Sequence, residues 1–418
     1  MMATPVSAFR ASRFGDVVTV EGAKLERLHG YPIARLAVLT CRPAACAPIA
    51  FQIDERDPNG RWVLDQGPQP NHDEPAGEFD ASDLLLFMAS DTGHQANARQ
   101  MPRDMLVVEE IAVTDPSDGS TQWAYVAAFA HAAPRSTRTY VAYDPSADRI
   151  RGARVALGFN GGIPDYLAVA NQNGADAANL LDRFKVRAGA TFLFGLVRFS
   201  RDESDLTTEF VAWRAGPIRV IRSQRQWVRL GWGIRSPTFG SYTYFYRDFA
   251  ELPVGLRLNF PPTYFFGDII IRVVVDFRDL TGWRLVVPSR AEPIPIDGTM
   301  TPEKALLNDL SDTWFALIGP EIALVQSMDL GPTLSSVRHR LLFEEDRSRS
   351  DPPEAVPGTQ PGIGYRLDRW EAVGAGAHVL AAASYALPQA LDARVFMESR
   401  SRSLVTAVTR QDLRQPAR

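Results

Sequence analysis

Apolar residues recur along this chain in short runs rich in Val, Ile, Phe, Tyr and Thr, and Gly, Pro, Asp and Asn close each run. That pattern belongs to strands separated by tight turns. It predicts strands at 34–40, 49–53, 84–89, 122–130, 137–143, 191–199, 207–214, 269–277 and 378–385. Helical spacing is rare. Residues 175–185 read as a short amphipathic helix, and Thr301-Pro302-Glu303-Lys304 as a cap with proline in the first turn. The alternation of strand and helix that a doubly wound sheet needs is missing. The expected class is all-β, a large antiparallel β-sandwich (super-sandwich) or two to three packed sandwich domains, with few short helices.

Turn-rich stretches at 143–148 and 288–298 divide the chain into expected blocks 1–150, 151–290 and 291–397, leaving 398–418 as a frayed polar tail. At 418 residues, 45% of them hydrophobic and 10% aromatic, the chain has material for a sizeable core, which excludes wholesale disorder. Its net charge of −4 comes from interleaved signs with no basic stripe, so nucleic acid is not an expected partner. No run reaches the roughly 18 apolar residues of a membrane helix; the candidate at Ile269–Val275 is broken by Arg272. Lysine is confined to Lys24, Lys185 and Lys304. The opening residues do not read as a leader. Cys41 and Cys46, with Arg-Pro-Ala-Ala between them, are expected to form a disulfide, and the expected location is periplasmic or extracellular. Cys-x-x-Cys-His, Walker, Gly-x-Gly-x-x-Gly and Gly-x-Ser-x-Gly patterns are absent, so no nucleotide, haem or flavin is expected.

Three clusters carry candidate chemistry. Asp54, Asp57, Asn59, Asp80 and Asp83 place oxygen ligands on tight turns, as a hard cation such as calcium requires. Glu55, Asp57, Asn59 and Gly60 fit the first, third, fifth and sixth positions of an EF-hand loop, whereas Gln66 stands where a bidentate glutamate belongs. The alternative is that these residues simply make turns and caps. Within 216–229, Arg219, Arg225 and Arg229 fall on one strand face and could fork onto carboxylate or sulfate groups; a solvated face with cross-strand ion pairs gives the same pattern. Trp227, Trp232, Tyr242, Tyr244, Tyr246 and Tyr264 supply the amphipathic rings of a sugar cleft, with core packing as the alternative. The six histidines offer no close pair for zinc, and His339 is the candidate base.

The stretch Pro48-Ile49-Ala50-Phe51-Gln52-Ile53-Asp54, followed by Phe79-Asp80-Ala81-Ser82-Asp83-Leu84-Leu85-Leu86-Phe87, resembles the opening of a group of exported bacterial proteins. Gly216-Pro217-Ile218-Arg219-Val220 is similar to a strand of the large sandwich domains related to galactose mutarotase and polysaccharide lyases. Leu84 stands where the first pattern carries a glutamate, so no carboxylate role transfers to it. The resemblance implies a super-sandwich that binds or cleaves polysaccharide and supplies no catalytic residues.

Two functions follow as expectations. The first is an exported carbohydrate-active protein with a polysaccharide or other extracellular polymer as partner. As a lyase it would use Tyr244, Tyr246 or His339 as base, and Arg219 and Arg225 to neutralise a uronate carboxylate. The second is a non-catalytic assembly or surface protein that pairs with itself or another protein. A hairpin across Gly231–Gly240 would set Tyr244, Tyr246 and Arg225 around one concave surface.

Overall fold

The structure is a computed structural model that describes residues 9–73, 75–169, 178–192, 195–231, 233–356 and 359–410. Antiparallel strands dominate, and the α-helices among the described residues are Pro302–Ala305 and Ala393–Arg400. The all-β class stands. Of the nine expected strands, those at 34–40, 49–53, 84–89, 122–130, 207–214, 269–277 and 378–385 fall on observed ones.

Two compact units emerge: Met1–Ala142 with Trp213–Val220 and Leu391–Arg418, and Tyr143–Ala212 with Ile221–Ala390. They differ from three consecutive blocks because two later segments return to the first unit. Arg219 in one of them ion-pairs with Asp54 at 2.7 Å. In the other, Val405–Thr409 pairs with Met105–Thr114, so this part of the expected frayed tail is an ordered edge strand whose backbone groups satisfy a neighbour.

In the first unit, a three-stranded sheet (Val17–Glu21, Leu84–Met88, Phe51–Asp54) faces a five-stranded one that includes Leu36–Cys41 and Thr121–Phe129. Val18, Val20, Leu85 and Phe87 from the first sheet meet Leu36, Val38, Ile111 and Val126 from the second in one buried cluster. The opposite face of the second sheet buries Leu39, Tyr125, Ala127 and Phe129. A strand covered on both faces reads as a continuous apolar run, which is why Leu36–Cys41 is buried throughout. Cys41 and Cys46 are cross-strand partners in this sheet and are joined by a disulfide.

The second unit contains the sheet that positions the site. Its strands, in chain order, are β1 (Leu181–Phe192), β2 (Val197–Arg201), β3 (Phe266–Phe277), β4 (Arg338–Asp346) and β5 (Thr359–Asp368). Their spatial order is β2-β1-β3-β5-β4. One face of this sheet supplies Phe277, Leu341, Phe343, Ile363, Tyr365 and Leu367 to a core shared with Phe315, Leu317 and Leu324 of a ten-stranded sheet. The opposite face is polar.

Three expectations give way here. The helix at 175–185 is instead the start of β1, because Arg183, Lys185 and Arg187 alternate with Phe184, Val186 and Ala188 at period two; residues 175–177 lie outside the described residues. Residues 191–199 span the end of β1 and the start of β2, which pair antiparallel, so a run of mixed apolar residues becomes two strand ends; residues 193 and 194 lie outside the described residues. Residues 137–141 form no strand; Tyr140 is anchored instead through its hydroxyl, which donates to Asp91 at 2.6 Å.

Candidate functional site

The expected catalytic set does not converge. The strands Val220–Gly231 and Phe239–Phe245 are neighbours in the ten-stranded sheet, so the arginine and tyrosine runs do share a sheet. Tyr242 and Tyr244 stack at 6.3 Å and are half-buried. Tyr246 lies beyond the strand end, only 6% exposed and stacked on Phe249 at 4.2 Å, so its ring belongs to the core and cannot border a groove. His339 sits on β4 in the other sheet, its Nε2 2.8 Å from the Ser311 carbonyl oxygen. Arg225 pairs with Glu209 at 3.5 Å, and Arg235 lies over the Trp227 ring at 5.4 Å. Arg219 is buried in the first unit against Asp54 and the Trp62 ring. Tyr264 is 72% exposed on the turn Pro262–Tyr264, and Trp232 lies outside the described residues.

The acidic residues read as turn chemistry. Asp57 accepts from the backbone N–H groups of Asn59 and Arg61 and from Arg61 Nε. Burial alone would raise its pKa, but these donors bring it below the ordinary value. Asp80 accepts from the Ser82 N–H and hydroxyl, both at 2.7 Å, and Asp83 accepts from the Asp80 N–H. Asp54 accepts from Gln52 and Arg219. Asn59 donates its N–H within the same turn. Among the described residues no three His, Cys, Asp or Glu side chains come together as metal ligands.

What the fold does assemble is a cleft of about 420 Å³ on the polar face of the second unit's sheet. Lys185 and Arg187 enter it from β1, Arg272, Val274 and Asp276 from β3, Gly362 from β5, and Leu342, Glu344 and Asp346 from β4. Arg349 and Asp351 reach it from the connection between β4 and β5, with Met300 and Asn308 at the rim of β4. Strand periodicity explains the sorting. In Ile269–Phe277 the residues at 271, 273, 275 and 277 face the core, while 272, 274 and 276 face the cleft. Gly364 lets β5 approach β3 closely, since a Cβ there would run into the Val273 carbonyl oxygen.

The cleft's charges are ordered by one buried ammonium. Lys185 is 3% exposed, and its Nζ lies 2.7 Å from Asp276 Oδ2, 2.7 Å from the Asp351 carbonyl oxygen and 3.4 Å from Asp351 Oδ2. Asp276 is 1% exposed, and no donor reaches its Oδ1. Burial pushes its pKa up, and Lys185 only partly offsets this. Asp351 goes the other way: burial would raise it, but Arg187 and Lys185 hold it below the ordinary value. Arg187 donates Nη1 to Asp351 Oδ1 at 2.5 Å and Nη2 to the Pro352 carbonyl at 2.9 Å. Glu344 pairs with Arg349. Asp276 fixes the ammonium, and the less buried charged groups that line the cleft are Arg187, Arg272, Glu344 and Asp351.

Sequence reasoning missed these residues, although a signal was present. Charged residues confined to alternate positions within β-prone runs, Arg183-Lys185-Arg187 and Arg272-Asp276, mark a strand with one apolar and one polar face. Of only three lysines, Lys185 and Lys304 are buried in ion pairs.

No family model matches the chain, and no curated protein matches it. Among solved structures it is similar to an α-mannosidase from Enterococcus faecalis V583, with 9% sequence identity and a TM-score of 0.51, over 96% of this chain and 45% of that one. It thus spans less than half the length of that enzyme. The α-N-acetylgalactosaminidase NagBb from Bifidobacterium bifidum, solved with GalNAc, matches at 11% identity and TM-score 0.33, over 64% of this chain and 38% of that one. A gh92 family glycosyl hydrolase matches at 12% identity and TM-score 0.22, over 64% and 34%. At 9% identity the first likeness is one of fold, and it agrees with the all-β architecture derived above.

Proposed function

We propose that this chain is a carbohydrate-active protein that binds a polysaccharide in the cleft on its second unit. The observation that carries the reading is the cleft itself, where cationic and carboxylate groups converge on a rigid sheet in a space of about 420 Å³. Arrays of forked guanidinium and carboxylate groups suit ligands dense in hydroxyls, because each planar group can bridge two neighbouring oxygens. The fold likeness to a protein named as an α-mannosidase supports the same class. Recognition is favoured over elimination chemistry, since Tyr244, Tyr246 and His339 do not meet around a common point. The Cys41–Cys46 disulfide supports a periplasmic or extracellular setting. The test is a screen of neutral and acidic polysaccharides by calorimetry, read alongside release of reducing ends and of ultraviolet-absorbing unsaturated products. Binding that Glu344→Ala weakens is the expected result, and absence of binding to every polymer overturns the reading.

A second reading, a non-catalytic assembly protein, draws on exposed apolar side chains: Leu196 at 85%, Tyr264 at 72% and Ile234 at 59%. Light scattering that shows a strict monomer across concentration removes it.

A further inference from the structure

The registers of β1, β3, β5 and β4 place four arginines directly opposite one another. Arg187 is the partner of Arg272, Arg272 of Arg366, and Arg366 of Arg340. Partners on adjacent antiparallel strands project from the same face, about 4.8 Å apart. The result is a rung of guanidinium groups running across the sheet, and it includes the cleft residues Arg187 and Arg272.

Like charges placed directly opposite destabilise a sheet unless anions lie among them. Three of the four have such partners within the chain: Arg187 donates to Asp351 at 2.5 Å, Arg366 to Asp368 at 3.1 Å, and Arg340 to Asp309 at 3.5 Å. Arg272, between Arg187 and Arg366, is exposed and has no ion pair among the described residues. Asp351 shows how this rung takes a carboxylate, since one oxygen meets Arg187 while the other faces Lys185.

We infer that the arginine rung centred on Arg272 is an anion subsite of the cleft, and that the glycan bound there carries carboxylates, as a uronate-containing chain does. This rests on the glycan-binding reading and narrows it. Arg272 supplies the uncompensated charge and forks onto a sugar carboxylate, with Arg187 and Asp351 setting the neighbouring position.

The test uses the full chain and calorimetry with oligogalacturonate and oligomannuronate, the same oligomers with their carboxyls reduced, and a sulfated oligosaccharide. The wild type is expected to bind the uronate oligomers in a salt-sensitive manner and in preference to the reduced ones. Arg272→Ala should weaken uronate binding by about tenfold or more, and Arg272→Lys should not restore it, since an ammonium lacks the planar fork. In the absence of ligand Arg272→Ala should melt no lower than the wild type, because it relieves repulsion between Arg187 and Arg366; a lower melting point would mark Arg272 as structural and overturn the assignment. Equal binding of uronate and reduced oligomers, unaffected by Arg272→Ala, overturns the inference and leaves the glycan reading standing. Preference for the sulfated oligomer overturns the carboxylate assignment. Absence of binding to all of them overturns both.

Discussion

Lys185 and Asp276 illustrate how a buried pair can be structural and still govern a site. The two sit at 3% and 1% exposure, and each has given up water for the other. Removing one partner leaves an uncompensated charge, which typically costs about 3–5 kcal/mol, whereas replacing both with apolar residues of similar volume is often tolerated. Lys185→Met is therefore expected to lower stability by about 3 kcal/mol or more in urea titrations, and Lys185→Met with Asp276→Leu to recover most of the loss. Equal losses in the single and double variants would show that the pair is not coupled.

Asp83 is a second residue whose burial has a measurable consequence. It is fully buried, and that burial, reinforced by the nearby carboxylates Asp80, Glu55 and Asp73, raises its pKa from 3.8 to about 7, while the hydrogen bond from the Asp80 N–H opposes the rise. A carboxyl whose folded-state pKa exceeds its unfolded one favours the folded chain while protonated. Its contribution is full below about pH 4 and is lost as pH rises through about 7. Asp83→Asn should thus gain stability relative to the wild type between pH 4 and pH 8, measured as the difference in urea midpoints at each pH. A difference that does not change with pH would show that Asp83 does not titrate in this window. The turn role of Asp80 and Asp83 was legible in the sequence, because Asp before a short polar run is a capping signal. The burial of Asp83 was not, since no local pattern distinguishes a solvated cap from one covered by distant strands.

At the scale of the element, the strands the sequence announces best are those with a single consistent environment. Leu36–Cys41, apolar on both faces, and Phe266–Phe277, with charges confined to one face, are legible from their residues. β1 was misread because Leu180, Leu181 and Phe184 imitate helical spacing, and only continued alternation through Arg187, fixed by pairing with β3, selects the strand. The arginine rung was illegible for a related reason. It depends on the register between strands far apart in the chain, Arg272 pairing with Arg366 across 94 positions (366 − 272), and register is a property of pairing, not of any one segment. The close approach of β3 and β5 can be tested alone. Gly364→Ala forces a methyl group against the Val273 carbonyl, and overpacking of this kind costs about 1–3 kcal/mol. Its chemical denaturation midpoint should fall accordingly, with loss of ligand affinity if the cleft widens; an unchanged midpoint would mean that the two strands can part without cost.

At the scale of the whole molecule, the chain closes its first unit with its last described strand. Val405–Thr409 pairs along Met105–Thr114, and Leu404 and Val408 pack against the core beneath. Arg13, 1% exposed, ties the same region together: its guanidinium donates to Asp115 at 2.8 Å and to the carbonyls of Ser399 and Arg402 at 2.7 Å each. Asp115 is accordingly held down at about 2, first by that guanidinium, so the tie persists through ordinary acid conditions. Deleting residues 404–418 should therefore do more than trim an end. It removes two part-buried apolar side chains, worth about 2–3 kcal/mol together, and exposes the backbone donors and acceptors of Glu110, Ile111, Ala112, Val113 and Thr114 as a free sheet edge, a template for intermolecular pairing. The expected outcome is a lower urea midpoint and concentration-dependent aggregation, compared with a truncation after Arg410 that keeps the strand. If both truncations match the full chain in midpoint and in light scattering, the returning strand does not stabilise the first unit, and the unit must be held by its two facing sheets alone.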